Sequence, residues 1–319
     1  MASLTDLDLT LDDPTRATLG DYRANSLWRL TLRRLRRQRS ALVGALILGI
    51  LVFSAIFAPL IAPFEPEARL RDVGRRDGPC IHLLGCPADE PQHLMGIDGN
   101  FRDVFSRVIY GARVSLRVGV LTVSFAIIVG TTLGAVAGYM GGWVDQIIMR
   151  ILDVVLAFPF LLLAIAIVSI LGAGLTNAML AIAIVTIPQY ARVVRASVLS
   201  VREMEFVEAS RALGASHAQI LFGRILPNAL PPLIVQGTLG IATAILDTAA
   251  LSFIGLGAQP PTPEWGAMLS SERNQVFSAP HLVFFPGLAI MLTVLGFNLL
   301  GDGLRDALDP RLSQAGFKK

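Results

Sequence analysis

The chain has 319 residues, of which 53% are hydrophobic and 16% are charged, and its mean hydropathy is +0.61. This composition is too apolar and too sparsely charged for an ordinary soluble domain, so the sequence predicts a polytopic membrane protein. The only lysines are Lys318 and Lys319 at the C-terminus. A phosphate-binding GxxxxGK[ST] loop is therefore excluded, because its lysine must precede a helix inside a folded domain. Any ATP hydrolysis would have to come from another chain.

The N-terminal region joins a polar segment to a basic one. Residues 1–27 contain five aspartates and few apolar side chains, which predicts a disordered tail. Eight arginines precede the first apolar run, and most of them lie in a predicted basic juxtamembrane helix at 28–40. We expect this helix to rest on anionic membrane lipid. Nucleic-acid binding is the weaker alternative for such a basic run.

Long stretches without charged residues predict six membrane-spanning helices and an all-α fold, because one span needs about 20 mainly apolar residues. The expected spans lie at 41–63, between Arg117 and Asp145, on the two sides of a break at 172–177 between Asp153 and Arg192, at about 231–256 and at about 281–300. A loop at 64–112 separates the first span from a core of five spans at 113–303, and 304–319 forms a tail.

The distribution of arginine predicts the orientation. With both termini in the cytosol, the inner segments hold 18 basic residues, whereas the outer loops after spans three and five hold only Arg273. The first outer loop, counted from 64 to 113, carries seven arginines, but it is about 50 residues long, and long loops cross the membrane with less regard to charge.

A polar segment at 200–226 interrupts the apolar chain and faces the cytosol in this orientation. Two capping-box patterns, Ser200 with Glu203 and Ser216 with Gln219, predict the starts of two short helices. The segment is therefore predicted to be a helical hairpin that contacts another protein. An amphipathic loop resting on lipid is the alternative.

The turn of this hairpin is predicted at Gly214, where the first helix needs a left-handed C-terminal residue. Pro227 is expected to end the second helix. Apolar side chains form one stripe on each helix: Phe206, Ala209 and Leu213 on the first, and Ile220, Leu221 and Ile225 on the second.

The hairpin resembles the EAA loop of bacterial ABC import permeases. It has Glu208-Ala209-Ser210, with Gly214 four residues on, and it ends in Leu226-Pro227; Ser210 replaces the second alanine of that motif. Further blocks match in order and spacing at 93–116, 138–159, 250–269 and 297–312. Over about residues 28–312 the chain therefore resembles the C-type permease subunit (OppC/DppC-like) of dipeptide and oligopeptide ABC importers.

One departure from that family concerns Phe101, which occupies a place usually held by glycine. A second is Arg224, which stands where the general EAA loop has an aliphatic residue.

The resemblance implies a type I ABC importer permease fold, in which the EAA loop is a coupling helix that docks into a cleft of a cytosolic ATPase subunit. Glu208 has an alternative role, since it could pair with Arg211 or Arg202 of its own hairpin. The implied coupling interface consists of Phe206, Glu208, Ala209, Ser210, Leu213, Gly214, Ala215, Ser216 and His217.

The same resemblance implies the partners: a homologous B-type permease, two cytosolic ATPase subunits that hold ATP and Mg, and an extracytoplasmic substrate-binding protein. The chain itself would bind no cofactor and would lie in the bacterial cytoplasmic membrane. Nickel chelates or oligosaccharides are alternative substrates within the family. A stand-alone secondary transporter or channel is the rival from another class, but it would predict inverted repeats and more intramembrane charge.

Asp247 lies about midway along the fifth predicted span, and a charge inside a membrane is a functional-site candidate because it is costly to place there. With Thr243, Thr248 and Asn298 it is predicted to line a translocation pathway or gate. The alternative is a hydrogen bond between helices that fixes packing.

Cys80 and Cys86 lie in the long outer loop and are expected to form a disulfide on the oxidising side of the membrane. Metal binding by these cysteines with His82 and His93 is the alternative, but the spacing matches no compact zinc pattern. The loop is expected to stiffen a surface where a binding protein docks. The sequence shows no catalytic constellation.

Overall fold

The computed structural model describes residues 35–36, 38–71, 73–87 and 92–308. The predicted tail at 1–27, most of the predicted basic helix and the last eleven residues lie outside the described residues. In the part that is described, the fold is helical, and extended pairing is limited to isolated bridges between Cys80 and His93 and between Ile97 and Asp103.

The helices are named in chain order. They are α1 (Arg39–Ile56), α2 (Ala58–Ile61), α3 (Val104–Met140), α4 (Gly142–Leu156), α5 (Phe160–Leu171), α6 (Leu175–Arg202), α7 (Glu205–Ala212), α8 (His217–Ile220), α9 (Leu226–Phe253), α10 (Trp265–Glu272) and α11 (His281–Leu308). A π-helical turn at Leu221–Ile225 joins α8 to α9, so the chain is continuously helical from His217 to Phe253.

Five of the described helical segments are long and apolar enough to cross a membrane, and the bent pair of α4 and α5 raises the number to six. The two helices of this pair meet at 90° near Pro159. The 12 residues of α5 span about 18 Å, which is less than the roughly 30 Å of a hydrocarbon core. The third predicted span is therefore not one straight helix but two helices that meet at a sharp bend.

Several helix ends differ from the predicted boundaries. Helix α3 begins at Val104, inside the predicted outer loop, because the Asp103 carboxylate caps it and accepts a hydrogen bond from the Ser106 amide at 2.7 Å. Helix α11 continues to Leu308, past the predicted end of the sixth span and into the predicted tail. Both helices extend into segments that contain charged residues. The prediction considered only stretches without charged residues, so it ended both helices too early.

Glycines bring α3 against α6. Gly130, Gly134 and Gly138 are spaced by four residues and lie on one side of α3. A methyl group at Gly134 would overlap the carbonyl oxygen of Ala191 on α6. The two backbones therefore approach closely, as in other helix pairs with small residues at the interface.

Helix α10 packs against the end of the bundle where α3 begins. Trp265 is fully buried, and its indole nitrogen donates to the carbonyl of Val108 on α3 at 3.0 Å. The Glu264 carboxylate caps α10 by accepting from the amides of Gly266 and Ala267, and burial raises the pKa of this carboxyl. The hydrogen bond from Trp265 to Val108 fixes α10 to the first turns of α3.

Phe101 adopts a left-handed φ of +61° in the turn before α3. This conformation favours glycine, the residue that the resemblance expects at this place.

Candidate functional site

The hairpin forms between α6 and α9, with one predicted boundary wrong and one confirmed. Ser200 lies inside α6, which runs on to Arg202, so Ser200 and Glu203 do not start a helix. The second capping box is present: Ser216 and Gln219 each accept a hydrogen bond from the other's backbone amide, at 3.4 and 3.0 Å.

The apex of the hairpin is Gly214, which has a left-handed φ of +79° and open space around the position of a Cβ. The predicted helix end at Pro227 is wrong. Pro227 is the second residue of α9, and the helix runs through it without a break from the π-helical turn at Leu221–Ile225. The second arm of the hairpin is therefore one rigid piece with a membrane-spanning helix.

The two sides of the hairpin differ in burial. Val207, Ile220 and Ile225 are almost fully buried, which anchors the hairpin to the bundle. Leu213 at the apex is 88% exposed, although leucine is usually buried. Of the other predicted interface residues, Ser210 and Ala215 are half-buried, and Phe206, Glu208, Ala209, Gly214, Ser216 and His217 are exposed.

The second arm of the hairpin and the end of α6 both contact the C-terminal end of α3. The Tyr139 hydroxyl lies 2.8 Å from Nδ1 of His217, and the two rings meet edge to face. Arg202 donates to the carbonyls of Gly138 and Tyr139 at 3.1 and 3.3 Å. The sequence assigned His217 only to the contact surface and missed Tyr139, because residues 78 positions apart share no local pattern.

A cavity of about 620 Å³ lies between the end of α3 and the hairpin, and charged side chains line it. Arg202 pairs with Glu203 at 3.0 Å, so it is not the partner of Glu208. Within the described residues, neither Glu208 nor Arg211 forms an ion pair. The alternative of pairing inside the hairpin is therefore not realised, and both charges remain available to a partner.

The predicted pathway residues occupy different environments. Thr248 is buried and its hydroxyl donates to the Ala244 carbonyl at 2.7 Å, so it packs within the bundle and does not join an open face. Thr243 and Asn298 are exposed, and Asp247 is half-buried. Among the described residues no hydrogen-bond or ion-pair partner of Asp247 is found, which disfavours a packing role within this chain.

Two ion pairs that the sequence did not predict hold α4 against α6. Arg195 donates to both carboxylate oxygens of Asp145, at 2.5 and 2.6 Å, and Arg192 contacts Asp153 at 2.6 Å. In the sequence, Asp153 and Arg192 only bounded the stretch that holds the third and fourth predicted spans. These pairs tie the bent third span to the helix that leads into the hairpin.

The outer loop is bound to α10. Cys80 and Cys86 are joined by a disulfide, and Cys80 exchanges backbone hydrogen bonds with His93. Glu272 on α10 accepts from Arg76 and from the Gly99 amide, both at 3.0 Å. The described residues contain no group of three or more side chains placed to hold a metal ion.

We expect Cys80 and Cys86 to resist an alkylating reagent in denatured, unreduced protein, because a disulfide leaves no thiolate to react. Mass spectrometry should show two added labels only after reduction, and reduced protein serves as the control. Labelling of both thiols without reductant would contradict the disulfide.

Comparison with known proteins gives two family matches. Residues 130–314 match the family described as "Binding-protein-dependent transport system inner membrane component". Residues 26–79 match the "N-terminal TM domain of oligopeptide transport permease C". Together these matches cover the first span and most of the core.

Similar proteins agree with these matches. The chain is 51% identical over 291 residues to the dipeptide transport system permease protein DppC of Alkalihalophilus pseudofirmus, which covers 91% of this chain and 92% of that protein. It is 48% identical over 285 residues to the glutathione transport system permease protein GsiD of Escherichia coli, which covers 89% of this chain and 91% of that protein.

A solved structure shares the fold. It is an inward-facing conformation of the MetNI methionine ABC transporter, and one of its chains matches with a TM-score of 0.53 and 22% identity, covering 64% of this chain and 96% of that chain. The predicted all-helical ABC permease fold is confirmed. The chain therefore belongs to the family of inner-membrane components of binding-protein-dependent transport systems, and it is a multi-pass transport permease.

Proposed function

We propose that this chain is the C-type permease subunit of an ATP-driven importer of di- or oligopeptides. The observation that carries the proposal is its identity of 51% to a permease named for dipeptide transport, along nearly the whole length of both chains. The relative named for glutathione transport supports the same substrate class, because glutathione is itself a short peptide.

In this proposal a homologous B-type permease completes the translocation pathway, and two cytosolic ATPase subunits hold ATP and Mg. An extracytoplasmic binding protein delivers the substrate. The chain supplies no nucleotide site, because its only lysines are the last two residues. The arginine bias supports cytosolic termini and a cytosolic hairpin.

The hairpin is the proposed coupling element. Leu213, Phe206 and the unpaired charges of Glu208 and Arg211 form the surface for the ATPase subunit. Closure of the ATPase dimer would move the hairpin, and its contacts through Tyr139 and Arg202 would carry that movement to α3. Because the second arm continues into α9, the same movement would reach Thr243 and Asp247, which with Asn298 are the proposed pathway residues.

Reconstitution of the complete complex in liposomes tests this function. With ATP inside and the cognate binding protein outside, we expect a labelled dipeptide to accumulate, and we expect no uptake when ADP replaces ATP. Uptake driven by an ion gradient without ATP would identify a secondary transporter instead. A thermal-shift screen of the binding protein separates peptides from nickel chelates and oligosaccharides, because a tight ligand raises its melting temperature.

A further inference from the structure

A second cleft, of about 640 Å³, opens between α6, α9 and α11 near the start of α9, close to the hairpin. Its apolar lining includes Val235 and Leu239, and its polar lining consists of Asn228 and Gln236 on α9 and Arg305 on α11. The proposed pathway and the coupling hairpin do not use these side chains.

Arg305 is the cation of this cleft. Its side chain is exposed, and within the described residues it forms no ion pair, even though Asp302 and Asp306 lie on the same helix. A guanidinium with free N–H groups binds a carboxylate through charge-assisted, often bidentate, hydrogen bonds. This wall of the cleft is therefore suited to a ligand with a carboxylate.

The part of the cleft formed by α9 contains two prolines and Asn228. Pro231 and Pro232 are consecutive inside α9, and both line the cleft. Because proline has no amide hydrogen, the carbonyls four residues earlier, those of Pro227 and Asn228, lose their usual helical donors. Such carbonyls near a membrane need another donor, and a polar ligand in the cleft can supply one.

The cleft also lies in line with the proposed pathway. Leu239 in the cleft, Thr243 and Asp247 follow one another at intervals of four along α9, so they lie on neighbouring positions of one side of that helix. A substrate that passes Asp247 toward the hairpin end of the bundle would therefore reach this cleft.

We propose that the cleft is a binding subsite for a short zwitterionic peptide at the inner mouth of the pathway. Arg305 binds the C-terminal carboxylate, and the carbonyls freed by Pro231 and Pro232 accept hydrogen bonds from the ammonium or amide groups. This subsite rests on the proposed function of the chain as a peptide importer permease.

The test measures binding of dialanine and of dialanine amide to the assembly of both permeases and both ATPases in lipid nanodiscs, without the binding protein. Equilibrium dialysis with labelled peptide gives the Kd. We expect the amide to bind about tenfold more weakly, because it cannot form charge-assisted bonds to Arg305. We expect Arg305→Gln to weaken dialanine binding by about the same factor and to remove the preference for the acid.

Two further variants control for fold and charge. Arg305→Lys keeps a cation and should retain part of the preference for the acid. Arg273→Gln removes an exposed arginine that contacts Ser270 outside the cleft, and it should bind both peptides as the wild type does.

The subsite is overturned if wild-type protein does not distinguish dialanine from its amide, or if Arg305→Gln binds dialanine with unchanged affinity. It is also overturned if the only effect of Arg305→Gln is a changed dependence on phosphatidylglycerol in the nanodisc, which would indicate a lipid site. In each case ATP-driven dipeptide uptake by the wild type would leave the proposed function standing. Absence of that uptake would remove the proposed function and the subsite with it.

Discussion

The Gly214→Val variant is expected to lose ATP-driven uptake and to release the ATPase subunits, while the chain still inserts into the membrane. Gly214 has a φ of +79°, and a β-branched residue in this region costs on the order of 1–3 kcal/mol. The space around the position of its Cβ is open, so the cost comes from the backbone and not from a clash. The apex is expected to change conformation and to misplace Leu213 and Glu208.

Gly223→Ala is the matched control. Gly223 also has open space around it, but its φ lies outside the left-handed region, so an added methyl group should be tolerated. Co-purification of the ATPase subunits, ATPase activity and dipeptide uptake should be measured for both variants. Normal ATPase recovery together with normal uptake in the Gly214→Val variant would refute the coupling role of the hairpin.

Gly134→Leu is expected to prevent α3 from packing on α6. Even a methyl group at this position would overlap the carbonyl oxygen of Ala191, and a backbone atom cannot move aside as a flexible side chain can. Overpacking of a well-packed contact costs on the order of 1–3 kcal/mol and occasionally more. We expect a low yield of monodisperse protein and a lower melting temperature.

Gly49→Leu is the control for that substitution. Gly49 is an exposed glycine of α1, and nothing lies within 4 Å of the position of its Cβ. This variant should have a yield and a melting temperature close to those of the wild type. If the two variants melt at the same temperature, the close approach of α3 and α6 at Gly134 is wrong.

Features that depend on neighbouring residues could be predicted from the sequence. The candidate membrane crossings, five or six in the described residues, follow from composition over a window about the length of one span. The turn at Gly214 and the capping box at Ser216 follow from local backbone chemistry, since a left-handed residue and two orphan amides are properties of a few adjacent residues. Cys80 and Cys86 are separated by only six positions, so their pairing could also be predicted from neighbouring residues.

The same kinds of local pattern gave wrong helix boundaries where tertiary packing determines how far a helix continues. The capping pattern at Ser200 has no effect, because α6 packs against α3 and continues as a helix. Pro227 does not end its helix: the π-helical turn at Leu221–Ile225 leads directly into α9, and the fully buried Ile225 packs this segment against the bundle. Tertiary contacts of this kind override local propensity.

The sequence alone established a membrane protein with long apolar segments and a capped polar hairpin between two of them, because hydropathy and caps act over short distances along the chain. Only the tertiary structure decided that the third predicted span is sharply bent, that Tyr139 meets His217 and that Asp145 meets Arg195. It also decided that Arg305 lines a cleft with the prolines of α9. These contacts join residues about 50 to 80 positions apart, and their partners are selected by distance in the folded bundle, which no local pattern records.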